Sequence, residues 1–364
     1  MEIKIDKTDL LNAINTASKA CPSKSTMTIL ECLLFTVEND EIRITSNDTE
    51  IEIDTFADGT IVEEGKICVD SKIFCPVISK LPNGEISIKT SESTMTVKCG
   101  RAKFDIPIRS GEEFPIMDNI PMENGISMSQ GELKELIRET IFATSMNDNN
   151  KLMTGELFNL KGNMLKIVAL DGHRIAIRDK ELGKEYEDVS VIIPGKTLLN
   201  ILKIVGEGDI DIYFADNMAA FKFDNTLVTS RLIEGQYFDI SKITDGIETT
   251  TTVTLNNDDF YACLDRSLLL INSNDRKPVV LDITENKMEA SLTTNLGSTS
   301  EELEVITEGK DIKIGFNPEF ILDALRVVDD EEVKLYFSNE KAPLYIKGDG
   351  YNYVVLPIQV QGNR

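Results

Sequence analysis

The stretch Ile193–Asn217 reads IPGKTLLNILKIVGEGDIDIYFADN, and it decides the fold because the chain holds two more of its kind. Residues 315–340 read GFNPEFILDALRVVDDEEVKLYFSNE, and residues 69–92 read VDSKIFCPVISKLPNGEISIKTSE. Each carries apolar residues at helical spacing, then an acidic or glycine-containing turn, then an alternating strand. Ile212-Tyr213-Phe214 and Leu335-Tyr336-Phe337 fall at matching places, about 123 residues apart, so the repeat is of domain length, longer than a solenoid unit.

Working outward, the segment before each of these stretches repeats as well. Asp9–Lys19, Glu132–Ala143 and Asp258–Leu270 have helical periodicity. Each has a polar start, at Asp6 or Thr8, at Ser129, and at Asn256 or Asn257, suited to cap a helix. Two alternating segments follow in every pass, such as LLFTVEND with EIRITSND, and read as antiparallel strands. The expectation is an α+β chain of three tandem domains, 1–125, 126–248 and 249–364, each with two helices packed on antiparallel sheet. Unpaired strand edges invite pairing, so three like domains joined edge to edge, or closed into a ring, would cover them. An open string of domains is the alternative.

Composition narrows the class. Hydrophobic residues make up 41% and charged residues 27% of the 364, as in a folded chain with real cores. No apolar run is long enough to span a membrane, and MEIKIDKTD at the start reads as strand and cap, so a cytosolic protein is expected. The six cysteines form no CxxC pair and there is one histidine, which disfavours a structural zinc site and suits a reducing compartment. The net charge of -24 argues against nucleic acid in bulk. Its distribution tells more. Lys24 follows the first expected helix. Lys72, Lys80, Lys134, Arg138, Lys196, Lys203, Arg266 and Arg326 lie on or at the ends of the others, while acidic runs fall in expected loops and strand ends. A basic helical face inside an acidic molecule is one reading. Ordinary solvated helix residues are the other.

The sharpest local segment is Leu170-Asp171-Gly172-His173-Arg174-Ile175, where one strand ends, turns and restarts. An enzyme would use His173 as a base oriented by Asp171. No nucleophile stands near it in sequence, and GxSxG, HExxH, P-loop and dinucleotide signatures are absent. The first repeat has Ser46–Glu50 at the matching place without a histidine, so a structural turn with an exposed contact rim is preferred. The charged turn Asp329–Glu332 is read as a solvated loop. Tyr353–Val360 reads as a last strand with Pro357 near its end.

These features resemble the bacterial DNA polymerase III beta subunit family, the sliding clamps. The resemblance covers essentially the whole chain. It is carried by Asp171–Arg174, Gly315–Phe320 and Tyr353–Val360 in that order, together with the triplication. It implies the DNA clamp fold, a head-to-tail homodimer closing a ring round duplex DNA, and no catalysis and no cofactor. It implies that Lys24 and Lys151 touch DNA, with the basic helical residues above facing the hole. A pocket for short apolar peptides is implied at Met153, Leu170, Gly172, His173, Arg174 and Ile175, over Phe238, Lys242 and Ile243, completed by Asn317, Phe320, Val354, Leu356, Pro357 and Ile358. It would serve the replicative polymerase, the clamp loader, and further repair polymerases and mismatch-repair proteins, at replication forks in the nucleoid. The dimer contact is implied at Phe104, Ile106 and Ile108, on an edge strand, facing Leu269 and Leu270; the alternative for these residues is domain core. Phe238 stands where the family has proline, Ile240 where an aromatic is common and Gln359 where arginine is frequent, so peptide preference is expected to differ in detail.

Overall fold

The computed structural model describes residues 1–147, 149–244, 248–271 and 277–359. Seven α-helices are described: α1 Lys7–Ala17, α2 Ser71–Lys80, α3 Gln130–Arg138, α4 Gly195–Ile204, α5 Ser241–Thr244, α6 Asn257–Leu268 and α7 Pro318–Leu325. The polar starts act as expected. The carboxylate of Asp6 accepts from the Thr8 amide at 2.7 Å, and the Asn256 side chain accepts from the Asp259 amide at 3.0 Å. At α3 the Ser129 hydroxyl accepts from the Glu132 amide while the Glu132 carboxylate accepts from the Ser129 amide, both at 3.1 Å, a reciprocal capping box. The helices begin one or two residues earlier than the periodicity suggests and end sooner. Ser18–Ala20 and Ile141–Ala143 are 3₁₀ turns, which tighten the helix ends and satisfy the last carbonyls.

The chain divides into two compact units that cut across the sequence repeats. One comprises Met1–Lys134 with Lys196–Leu232, the other Glu135–Gly195 with Ile233–Arg364. The first unit is organised by a 13-stranded sheet, among the described residues. It has a seam where Thr226–Arg231 runs antiparallel to Ile51–Ala57, with Thr229 opposite Glu52 and Ser230 opposite Ile51. Its core packs α1 and α2 through Leu10, Ile14, Phe74 and Ile78 against strand residues such as Ile3, Phe35, Ile44 and Ile88. The second unit holds a 9-stranded and a 4-stranded sheet. Its seam sets Arg174–Glu181 against Tyr351–Val355, with Ile175 opposite Val354. Phe260, Leu264, Ile321 and Leu325 of α6 and α7 pack on Val253, Leu281, Phe316 and Tyr353. Burial of such side chains contributes about 1.5–3 kcal/mol each, so the apolar helix faces hold these layers together.

The last strand departs from expectation. The strand ends at Val355, and after one more backbone bond from the Leu356 amide the ladder stops at Pro357, which has no amide to donate. Ile358 makes one further bridge, its amide donating to the Gly315 carbonyl at 2.8 Å, and Val360 lies outside the described residues.

Candidate functional site

The expected pocket residues all lie in the second unit, and strand geometry brings most of them together. Leu170 and Ile175 are cross-strand partners next to the turn, and Val354 lies opposite Ile175 on the other side. Tyr345 is opposite Val354 in turn, so one face of four adjacent strands presents Val168, Leu170, Ile175, Ile177, Val354 and Tyr345. Met153, Phe238 and Ile243 pack against this floor, joined by Leu152, Leu157, Ile233, Ile240 and Tyr336. Two phenols pin the covering segment. The Tyr237 hydroxyl donates to the Gly155 carbonyl at 3.3 Å, and the Tyr345 hydroxyl to the Ile243 carbonyl at 2.8 Å. Burial, with the neighbouring Glu156 carboxyl, pushes the Tyr237 phenol well up.

The rim is built by the Asp171–Arg174 turn. Gly172 has φ +87°, a left-handed conformation that suits glycine. The Asp171 carboxylate accepts from the amides of His173 at 2.9 Å and Arg174 at 3.1 Å, and from the Arg174 guanidinium at 3.0 Å. Arg174 also donates to the Asp323 carboxylate and to the Phe142 carbonyl, both at 2.6 Å, and its guanidinium lies 4.6 Å from the Phe320 ring centroid. A half-buried guanidinium held by two carboxylates fixes the rim. His173 stacks on Phe320 with centroids 6.0 Å apart and planes at 18°. Among the described residues no hydrogen bond joins the Asp171 carboxylate to the His173 ring. The acid–base pair that an enzyme would need is therefore not assembled. Leu356 is exposed beside this rim, its amide donating to the His173 carbonyl at 2.9 Å. Pro357 and Ile358 are half-buried beyond it. Asn317 spends its side-chain oxygen on capping α7, at 3.0 Å from the Glu319 amide, and Lys242 is exposed on α5. The result is an apolar floor with a rigid polar rim, suited to an apolar side chain on an extended peptide.

Periodicity gave no sign of Tyr345, Asp323 or Phe142. Tyr345 follows from strand alternation once Val354 is placed. Asp323 sits one turn beyond Phe320 on the same helix.

The basic residues are only partly free. Lys72 pairs with Glu31 at 2.6 Å, Arg266 with Glu301 at 2.6 Å, Arg138 with Asp329 at 3.3 Å and Arg326 with Asp323 at 3.4 Å; Lys196 pairs with Asp48. The acid expected to lie elsewhere is thus partly alongside, because strand-end and turn carboxylates come back against the helices. Lys24, Lys80, Lys134, Lys151 and Lys203 have no carboxylate ion pair among the described residues; Lys203 contacts the Asn200 side chain.

The residues expected at a dimer contact differ among themselves. Phe104 is 41% and Leu269 81% exposed, Ile108 and Leu270 are half-buried, and Ile106 is 3% exposed. Ile106 shares a strand face with Phe104, opposite Lys103 and Asp105, and packs in the first unit's core, which Phe104 does not join. Its side chain is taken up by that core, while its backbone lies on the free edge of the strand.

Comparison with known proteins fits this geometry. Residues 1–118, 127–239 and 247–359 match the models of the N-terminal, central and C-terminal domains of the DNA polymerase III beta subunit. A beta sliding clamp of Staphylococcus epidermidis is 31% identical, covering 99% of both chains. The solved structure of a DNA polymerase III beta subunit from Eubacterium rectale is 44% identical with a TM-score of 0.96, covering 98% of this chain and 99% of that one. The DNA polymerase sliding clamp of Bacillus subtilis is 26% identical with a TM-score of 0.95, covering 99% and 100%. On the strength of the three matched domains and full-length relatives, the chain belongs to the DNA polymerase III beta subunit, or beta sliding clamp, family.

Proposed function

We propose that this protein is a DNA sliding clamp: a non-catalytic ring of two chains, head to tail, that encircles duplex DNA and tethers the replicative polymerase. The carrying observation is that its two internal seams share one register, while two further strands of the same design each keep a free edge. In the first seam Ser230 pairs with Ile51, three residues past the turn residue Asp48. In the second Val355 pairs with Arg174, three past Asp171. The hairpins leading in also match, closing at Phe223 and Thr226, and at Gly348 and Tyr351. The hairpin closing at Cys99 and Ala102 leads into Ala102–Ser110, whose residues 102–107 pair only with Thr94–Cys99 among the described residues. Gly297–Glu304 is the edge of the 4-stranded sheet.

Applying the shared register to these edges sets Gly297 opposite Ile106, Thr299 opposite Phe104 and Glu301 opposite Ala102 of a second copy. Side chains follow the same rule. Where Phe142 packs edge-on to Tyr353 at 5.6 Å, Leu269 would meet Phe104. Where His173 stacks on Phe320, Leu296 would meet Ile73. All four are exposed in the single chain, Leu296 by 56% and Ile73 by 48%. Two identical joints of this kind close a two-fold ring and leave no free edge at either.

The three sequence domains, 1–125, 126–248 and 249–364, are then the repeating units of a six-domain ring. Unpaired lysines such as Lys24, Lys80, Lys134, Lys151 and Lys203 face DNA, and the paired cations contribute less. Such contacts are weak, sequence-independent and screened by salt, which suits a ring retained by topology. The polymerase catalytic subunit, the clamp loader and repair proteins share the pocket between His173, Phe238 and Leu356. Among the described residues no helix is long and apolar enough to cross a membrane, in keeping with action at cytoplasmic replication forks. Retention on nicked circular duplex DNA after loading, against the same DNA linearised, tests the reading. Retention on circles and loss from free ends is expected, and equal retention on both overturns it.

A further inference from the structure

The first seam has the same framework as the one that carries the candidate pocket, yet its floor is chemically opposite. Matching Asp48 to Asp171 puts Glu52 in the place of Ile175 and Asp54 in the place of Ile177. Glu52 and Asp54 are both buried, at 3% and 7% exposure, on one face of the seam strand. Over that face runs Phe114–Ile120. Phe114 packs with Leu30, Leu34 and Cys68 on one side of the seam. Met117 and Ile120 pack with Met218, Ala220 and Leu227 on the other. Ala220 stands where the second seam has Tyr345, and the smaller side chain makes room for this segment. At the middle, one Glu52 carboxylate oxygen accepts from the Met117 amide at 2.9 Å and from the Asn47 side chain at 2.8 Å. The same Asn47 nitrogen donates to the Pro115 carbonyl at 3.2 Å. A peptide segment with apolar anchors either side of a backbone hydrogen bond is how an outside ligand would sit on such a floor.

We propose that Phe114–Ile120 is a strap, fastened across this seam by Glu52, that occupies the seam in place of an outside peptide and opens separately from the strands beneath it. The proposal does not depend on ring closure or on peptide docking at the second seam. Charged groups around Glu52 are Asp54 on its own strand, whose carboxyl accepts from Thr45, and Arg43 on the adjacent strand. Thr229, opposite on the partner strand, is uncharged, and Asp118 on the strap is exposed. Burial, and then Asp54, push the Glu52 carboxyl up to about 7, against the hydrogen bonds and Arg43. Opening the strap hydrates Glu52 and returns its carboxyl towards the ordinary 4.5, a larger change than loss of the Met117 hydrogen bond, which by itself favours the ionised acid; closure is therefore strongest in acid and weakens as pH rises through about 7.

The test is hydrogen exchange of the Met117 amide in the full chain, expressed as a protection factor, between about pH 6 and pH 8.5. Protection is expected to fall about tenfold or more over that range in the native protein and to stay level in Glu52→Gln. Seam-strand amides should keep their protection in both. Glu52→Ala should lose Met117 protection at every pH. If that variant does not fold, the native series and Glu52→Gln still decide. Met117 protection that is independent of pH in the native protein, or that falls together with that of the seam strands, overturns the strap.

Discussion

Arg174 holds more of the candidate site than any other single side chain. It touches Asp171, Asp323, the Phe142 carbonyl and the Phe320 ring, while being itself half-buried. Removing it takes charge-assisted hydrogen bonds from two carboxylates, although Asp171 keeps two backbone amides and Asp323 keeps Arg326, so Arg174→Ala should lower unfolding free energy by about 1.5–3 kcal/mol in chemical denaturation. Arg174→Lys should recover little of it, because a point ammonium cannot fork between two acids. Leu356 is the contrasting case. Its side chain is exposed and packs no core, so Leu356→Ala should leave stability within about 0.5 kcal/mol while raising the Kd of an apolar peptide about tenfold or more, read by calorimetry. An unchanged Kd would remove Leu356 from the pocket. The tip residues were legible because turn chemistry is local. Asp323 and Phe142 were not, since the three-way contact with Arg174 exists only after three separated segments meet.

Elements carry the next layer. The Ser129 and Glu132 capping box was readable as a polar start, and its reciprocal bonds now give it a value. Ser129→Ala should cost about 1 kcal/mol in denaturation, with Ser129→Asp recovering most of it. The strand Gly155–Lys161 holds a less expected feature. Glu156 is wholly buried, and neither of its oxygens has a hydrogen-bond partner among the described residues; the neighbouring Thr140 hydroxyl donates to the Leu136 carbonyl at 2.8 Å. Burial raises its carboxyl well above the ordinary 4.5. The folded state therefore keeps a proton that the unfolded chain releases. The contribution is fully present below about 4.5 and is lost as pH rises towards the folded value. Denaturation midpoints should fall with rising pH in the native protein, and less steeply in Glu156→Gln, which stays neutral. An identical slope in both would place the effect elsewhere. The helix ends and the halt of the last strand at Val355 were misread by a few residues because periodicity does not see 3₁₀ turns or a missing proline amide.

At the scale of the molecule the exposed apolar residues are ordered by the repeat. Phe104→Asp and Leu269→Asp should each give a folded monomer, with an unchanged circular dichroism spectrum and a halved mass in sedimentation. Both side chains are exposed in the single chain, and a buried charge at a joint is costly only in the dimer. Ile106→Asp should instead unfold the chain, because Ile106 is core. A dimer that survives both surface changes would sink the proposed joint. A monomer from Ile106→Asp with native stability would contradict its burial.

By itself the sequence determined what depends on neighbours along the chain: three passes of helix, turn and strand, the capping residues, the aspartate turns and the apolar faces. Helical and strand periods and turn preferences are short-range properties, so they can be read without a fold. Only the tertiary structure decided which strands share a seam, and hence that the middle stretch contributes to two compact units. It also decided that Lys72, Arg138, Lys196, Arg266 and Arg326 have carboxylate partners, and that equivalent seam positions hold isoleucines in one place and buried acids in the other. Those outcomes depend on register between strands far apart in sequence, and a shift of one residue would turn every side chain to the opposite face.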